Sequence, residues 1–113
     1  MPALQLTTNV KIDDVKAFSL EFSKIAAEAL GKPESYISVC YTYNESLTFA
    51  GSFEPAFLLS IISLGNLNPQ ANAKYSKALT EFFEKKLGLK NNRGYITFVD
   101  PGREFLGYQG ATF

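Results

Sequence analysis

Strand, helix, strand: the chain writes this pattern twice, and few folds accommodate the duplication. Residues from about 3 to 9 open with Ala3-Leu4-Gln5-Leu6-Thr7-Thr8, an alternating run that reads as a strand. Asp13-Asp14 then offers N-cap chemistry, and Val15, Phe18, Phe22, Ile25 and Ala29 recur at helical spacing. Gly31 ends that helix and Pro33 prevents its resumption. Tyr36 to Tyr43 alternates again, with its large residues on one face. After a polar loop containing Gly51, the run Phe57-Leu58-Leu59-Ser60-Ile61-Ile62 is almost continuously apolar, which predicts a strand buried on both faces. Asn68-Pro69 supplies a cap followed by proline at the first helical position. Tyr75, Leu79, Phe82, Phe83 and Leu87 mark the stripe of this second helix, and Gly88 ends it. Tyr95-Ile96-Thr97-Phe98-Val99 closes the pattern and echoes Tyr36-Ile37-Ser38-Val39.

The expectation is therefore an α+β domain spanning 1–113, made of two βαβ units of about fifty residues, each with a right-handed crossover. Together they form a four-stranded sheet with two helices on one face. The order βαββαβ also describes ferredoxin-like domains, RNA-binding modules among them. Those carry a Lys/Arg-Gly-aromatic motif beside strand aromatics, whereas the third strand here reads FLLSIISLG. The tail, Phe105 to Phe113, is apolar and aromatic, and two sheet edges would stand open in a lone subunit. A closed oligomer is expected.

Charge narrows the partners. Eleven basic and eleven acidic side chains cancel, so nothing marks the chain for a phosphate backbone and no nucleic-acid partner is expected. No apolar run approaches a membrane span, and no signal-peptide pattern opens the chain. With Cys40 alone, a reducing cytoplasm is the expected compartment, and leaderless secretion is compatible with the same sequence. There is no histidine, which removes Ser-His and Cys-His catalysis and His-ligated metals. A base in this chain must be a carboxylate, a lysine, a tyrosine or the terminal amine.

Pro2 bears on that choice. Proline is tolerated at a strand only at its first position, so it is a harmless opener here. It is also a residue before which Met1 is readily removed, and removal leaves a secondary amine.

Pro2, Gly31-Lys32-Pro33, Phe49…Gly51-Ser52…Glu54-Pro55, Ser63-Leu64-Gly65, Tyr95-Ile96, Gly107-Tyr108 and Ala111-Thr112-Phe113 fall in order along the whole chain. In this combination the sequence resembles the macrophage migration inhibitory factor family of tautomerases, which includes D-dopachrome tautomerase. The resemblance implies a homotrimer with active sites between subunits and no cofactor or metal. It implies keto–enol tautomerisation of small aromatic α-keto acids such as phenylpyruvate, with dopachrome-type compounds as artificial substrates. The family's proline base carries over to Pro2 once Met1 is gone. Its carboxylate-binding lysine carries over to Lys32, its backbone N–H donor to Leu64 and its phenol to Tyr95. Its apolar rim carries over to Tyr36, Leu106, Tyr108 and Phe113. An α-amine beside a cation, partly buried, is pushed toward neutrality, which suits a base that must take and return a proton.

Other readings of these residues stay open at this level. Lys32 can serve as a cation at a helix C-terminus, Tyr95 and the tail aromatics as packing, and Leu64 as core. A non-catalytic member or a ferredoxin-like domain would act as a signalling or binding module, and no residue pattern spells out a protein receptor. The sequence also departs from the family. Thr97 stands where the vertebrate cytokine has an asparagine that meets the substrate's ring end, which bears on preference for a ring hydroxyl. Tyr108 replaces a frequent tryptophan. Ala56-Phe57-Leu58-Leu59 replaces the cytokine's Cys-x-x-Cys, so thiol oxidoreductase activity is not expected.

Overall fold

The structure, a computed structural model, describes residues 1–113. Strand β1 (Ala3–Thr8) leads through helix α1 (Val15–Leu30) to β2 (Ser38–Tyr43), and β3 (Phe57–Ile62) leads through α2 (Pro69–Leu87) to β4 (Gly94–Val99). The sheet order is β2-β1-β3-β4. Each half is a parallel pair, β1 with β2 and β3 with β4, and the halves join antiparallel along β1 and β3.

The helix ends follow local chemistry. Asp14 accepts from the Ala17 N–H and Asn68 from the Ala71 N–H, each satisfying a donor that the first turn leaves unpaired. Gly31 and Gly88 close the helices in the left-handed region, at φ 64° and 68°, where a Cβ would be strained.

Both helices pack on one face of the sheet. Leu4 and Leu6 of β1 and Phe57, Leu59 and Ile61 of β3 meet Phe22, Leu79 and Phe83 in a single core. Phe18, Phe22, Phe82 and Phe83 join the two helices, with ring centroids 5.5–6.0 Å apart. Burying one such side chain contributes about 1.5–3 kcal/mol, so this aromatic seam is a main reason the halves stay together. The single ion pair across the helices, Lys86 to Glu21 at 2.9 Å, is solvated at both ends and adds little.

Three sequence expectations change. The second strand starts at Ser38, because Glu34–Tyr36 form a 3₁₀ turn ahead of it. Tyr36 therefore lies outside its strand while Tyr95 lies within β4, and the two are not equivalent in space. The buried line of α1 runs through Phe18, Phe22, Ala26 and Leu30, and Val15 is 38% exposed. Here the contact follows the inclined i+4 row of the helix surface. Finally, β3 is not buried on both faces: Phe57, Leu59 and Ile61 are buried, but Leu58 is 49% exposed. With both helices on one side, no layer of this chain covers the other.

The tail forms a short ribbon, β5 (Gly107–Tyr108) against β6 (Ala111–Thr112), about a Gln109-Gly110 turn in which both residues have positive φ. Phe105, just before it, is 80% exposed.

Candidate functional site

Pro2 is fully buried at the mouth of β1, and its carbonyl accepts the Ser38 N–H at 3.1 Å, extending the β1–β2 ladder by one bond. The strand-opening position uses proline's missing donor without cost to the sheet.

Lys32 follows the Gly31 cap, yet its ammonium does not turn back on the helix end. It reaches the turn after β3 and donates to the Leu64 carbonyl at 3.2 Å. Two of its three donors remain for a ligand. Leu64 is half-buried, and its own N–H donates to no group of the chain. That turn is fixed from two sides. Asp100, just past β4, accepts the Gly65 N–H and the Gly102 N–H, both at 3.0 Å. Asn66 donates to the Leu30 carbonyl at 3.1 Å and accepts from the Ser63 hydroxyl.

The chain terminus lies among these charges. Burial pushes the Met1 amine below its ordinary value, Lys32 pushes it further in the same direction, and Asp100 opposes both. The Asp100 carboxyl is itself held below the usual carboxylate range by the Gly65 and Gly102 N–H groups.

The proposed rim gathers near the same end. Tyr36, four residues after Lys32, lies edge-on to Tyr108 at 6.2 Å, and Tyr108 stacks on Phe113 at 5.1 Å. Leu106 accepts the Phe113 N–H at 3.1 Å, and Arg103 donates to the Phe113 carbonyl at 3.0 Å, so the tail is clasped onto itself.

Tyr95 and Thr97 stand elsewhere. Through the sheet register, Tyr95 aligns with Leu58 and then Thr7, and Thr97 with Ser60 and then Gln5. Pro2 precedes Ala3, so Tyr95 is about 16 Å along the strands and two strands, about 10 Å, across from it. Both side chains point to the helix-free face, where Gln5, Thr7, Leu58, Tyr95 and Thr97 line a shallow groove of about 270 Å³. Tyr95 is 68% exposed, with its ring 5.3 Å from that of Phe49. One chain thus brings together Pro2, Lys32 and Leu64, with the rim beside them, but not Tyr95 or Thr97. No cavity within the chain is lined by both Pro2 and Lys32.

Sequence reasoning missed Asp100, Asn9 and Arg93. Asn9 donates to the Leu47, Phe53 and Glu54 carbonyls and accepts the Ala56 N–H, pinning the 44–56 loop. The available signal was position: each is a polar residue directly at a strand end, where side chains reach neighbouring loops.

A duplicated βαβ unit joined antiparallel through its first strands, with Pro2 opening β1 and Lys32 near the chain's amino end, has the form of the tautomerase-superfamily class of α+β protein. Comparison narrows this. The family model described as "Macrophage migration inhibitory factor (MIF)" matches residues 1–113. A macrophage migration inhibitory factor homolog of Trichinella spiralis is 37% identical, covering 100% of both chains. The solved Trichinella spiralis structure superposes with a TM-score of 0.91 at 35% identity, over 98% of this chain and 99% of that one. A homologue structure from Prochlorococcus marinus gives 0.89 at 29% identity, over 98% of each chain. The chain belongs to the macrophage migration inhibitory factor family.

Proposed function

We propose that the protein is a cofactor-free keto–enol tautomerase of small aromatic α-keto acids, with the Pro2 nitrogen as its base after loss of Met1. The observation that carries this reading is where Pro2 stands: buried at the mouth of β1, next to the Met1 amine, which burial and Lys32 both depress, so that a nitrogen freed at Pro2 would meet the same lysine. With Met1 attached, the Pro2 nitrogen is a tertiary amide with no useful basicity. Freed, it takes the proton from the carbon next to the keto group and returns one to the enol oxygen, so the reaction is a net isomerisation. Lys32 and the free Leu64 N–H hold the substrate carboxylate. Tyr95 donates to the oxygen that becomes the enolate. Tyr36, Leu106, Tyr108 and Phe113 enclose the ring, and Thr97 meets its far end.

The separation of Tyr95 from Pro2 supports a site between subunits, as in the homotrimer that the family resemblance implies. The helix-free sheet face, with Leu58 and Tyr95 exposed, is the surface such an assembly covers. The exposed free thiol of Cys40 suits a reducing cytoplasm.

The test compares Met1-retained with Met1-cleaved protein, both verified by mass and by sedimentation as trimers, in a phenylpyruvate tautomerisation assay. Activity confined to the cleaved form is expected. Equal rates would reduce Pro2 to a strand opener, and a stable monomer at micromolar concentration would remove the shared site.

A further inference from the structure

Arg93, immediately before β4, places its guanidinium within the 44–56 loop. Nη1 donates to the Phe49 carbonyl at 2.9 Å, and Nη2 to the Glu54 carbonyl at 2.9 Å and the Ser52 hydroxyl at 3.1 Å. Nε reaches the Pro55 carbonyl at 3.3 Å. The guanidinium carbon also sits 5.3 Å from the centre of the Phe49 ring, within cation–π range. No acidic partner is involved: the cation is spent wholly on loop oxygens and this ring.

The loop it holds is a tight one. Phe49 and Ser52 bridge each other across Ala50-Gly51, both with positive φ, so the Phe49 ring is set by a turn that Arg93 grips at both ends. The same ring lies against Tyr95, with centroids 5.3 Å apart and the planes tilted by 48°. On the backbone, the Arg93 carbonyl accepts the Phe57 N–H at 3.0 Å, and Gly94 lies so close to Phe57 that a Cβ there would fall 2.5 Å from its ring and carbonyl. An exposed phenol with no hydrogen bond of its own in the chain thereby rests against a ring that Arg93 anchors.

We propose that Arg93 is a positioning residue for the tautomerase reaction, acting through Phe49 to fix the direction in which Tyr95 presents its hydroxyl. The inference rests on the function proposed above. A flat cation is required for it, because four divergent acceptors and a ring face are satisfied by one planar fork, which an ammonium cannot match.

The experiment is a double-mutant cycle on Met1-cleaved protein, with Arg93→Lys and Tyr95→Phe singly and together, reading kcat and KM for phenylpyruvate. Arg93→Lys should lower kcat about tenfold with KM nearly unchanged, since misorientation of a donor costs turnover more than binding. In the Tyr95→Phe background the same change should cost almost nothing more. Equal losses in both backgrounds would show that Arg93 only supports the loop, and would overturn the inference. Phe49→Leu keeps every guanidinium hydrogen bond, so it runs the same cycle should Arg93→Lys fail to fold. An inactive cleaved wild type would overturn the tautomerase reading and this inference with it. Active wild type with additive losses overturns this inference alone.

Discussion

Replacing Lys32 by methionine keeps the stem and removes only the charge, which separates its two proposed roles from its place in the fold. In the fold the ammonium makes one hydrogen bond, 3.2 Å to the Leu64 carbonyl. Its net worth is about 0.5–1.5 kcal/mol, so the variant should fold and melt only a few degrees lower. Toward a carboxylate substrate the same charge should contribute about 1.5–3 kcal/mol. At 1.36 kcal/mol per decade, KM for phenylpyruvate should rise by roughly 10- to 150-fold, with kcat much less affected. The terminal amine supplies a second, independent readout. Lys32 and Asp100 are the charges that face it, and Lys32 lowers its pKa. Without the lysine, burial alone opposes the carboxylate's pull, so the amine pKa rises. In Met1-retained protein this is read from the pH dependence of amine acylation. In cleaved protein it appears as an acidic limb of kcat/KM moved to higher pH. An unchanged KM together with an unmoved limb would refute the reasoning and return Lys32 to structural support of the Leu64 turn.

Gly94→Ala should destabilise by about 1–3 kcal/mol, because the added Cβ meets the buried Phe57 ring and the Phe57 carbonyl at 2.5 Å; a melting curve matching wild type would contradict this. Asp100→Asn keeps one acceptor but turns an amide donor toward the other backbone N–H. Because the folded pKa of Asp100 is depressed, its stabilisation is full above the ordinary carboxylate value of 3.8 and is lost as pH falls through the lower folded value. The Tm gap between wild type and variant should thus be constant near neutrality and close in acid; a gap that widened on acidification would reverse the sign of the argument. Thr97→Asn should shift preference toward hydroxyphenylpyruvate over phenylpyruvate, measured as a ratio of kcat/KM, and an unaltered ratio would show that this position does not meet the ring.

The elements themselves were legible in one dimension. Asp14, Asn68, Pro69, Gly31 and Gly88 act on their immediate neighbours, so caps and stops could be read where they stand and were found there. Periodicity likewise placed β3 and α2 at their observed bounds. The role given to Pro2 and the placing of Lys32 rested on resemblance, since a lysine after a glycine cap has no local sign of where its chain will turn. Only the fold sent that ammonium across to Leu64, by setting the end of α1 beside the turn after β3. Pairing is non-local, and nothing in a strand's own residues states its neighbour. The order β2-β1-β3-β4 put Pro2 and Tyr95 at opposite ends of strands two places apart. The apolar run of β3 was visible from sequence, but that its second face stays uncovered within the chain followed from both helices choosing the same side. Asp100, Asn9 and Arg93 were silent for the same reason: each acts on backbone groups 35 or more residues away in the chain, and closing those distances is the work of the tertiary structure alone.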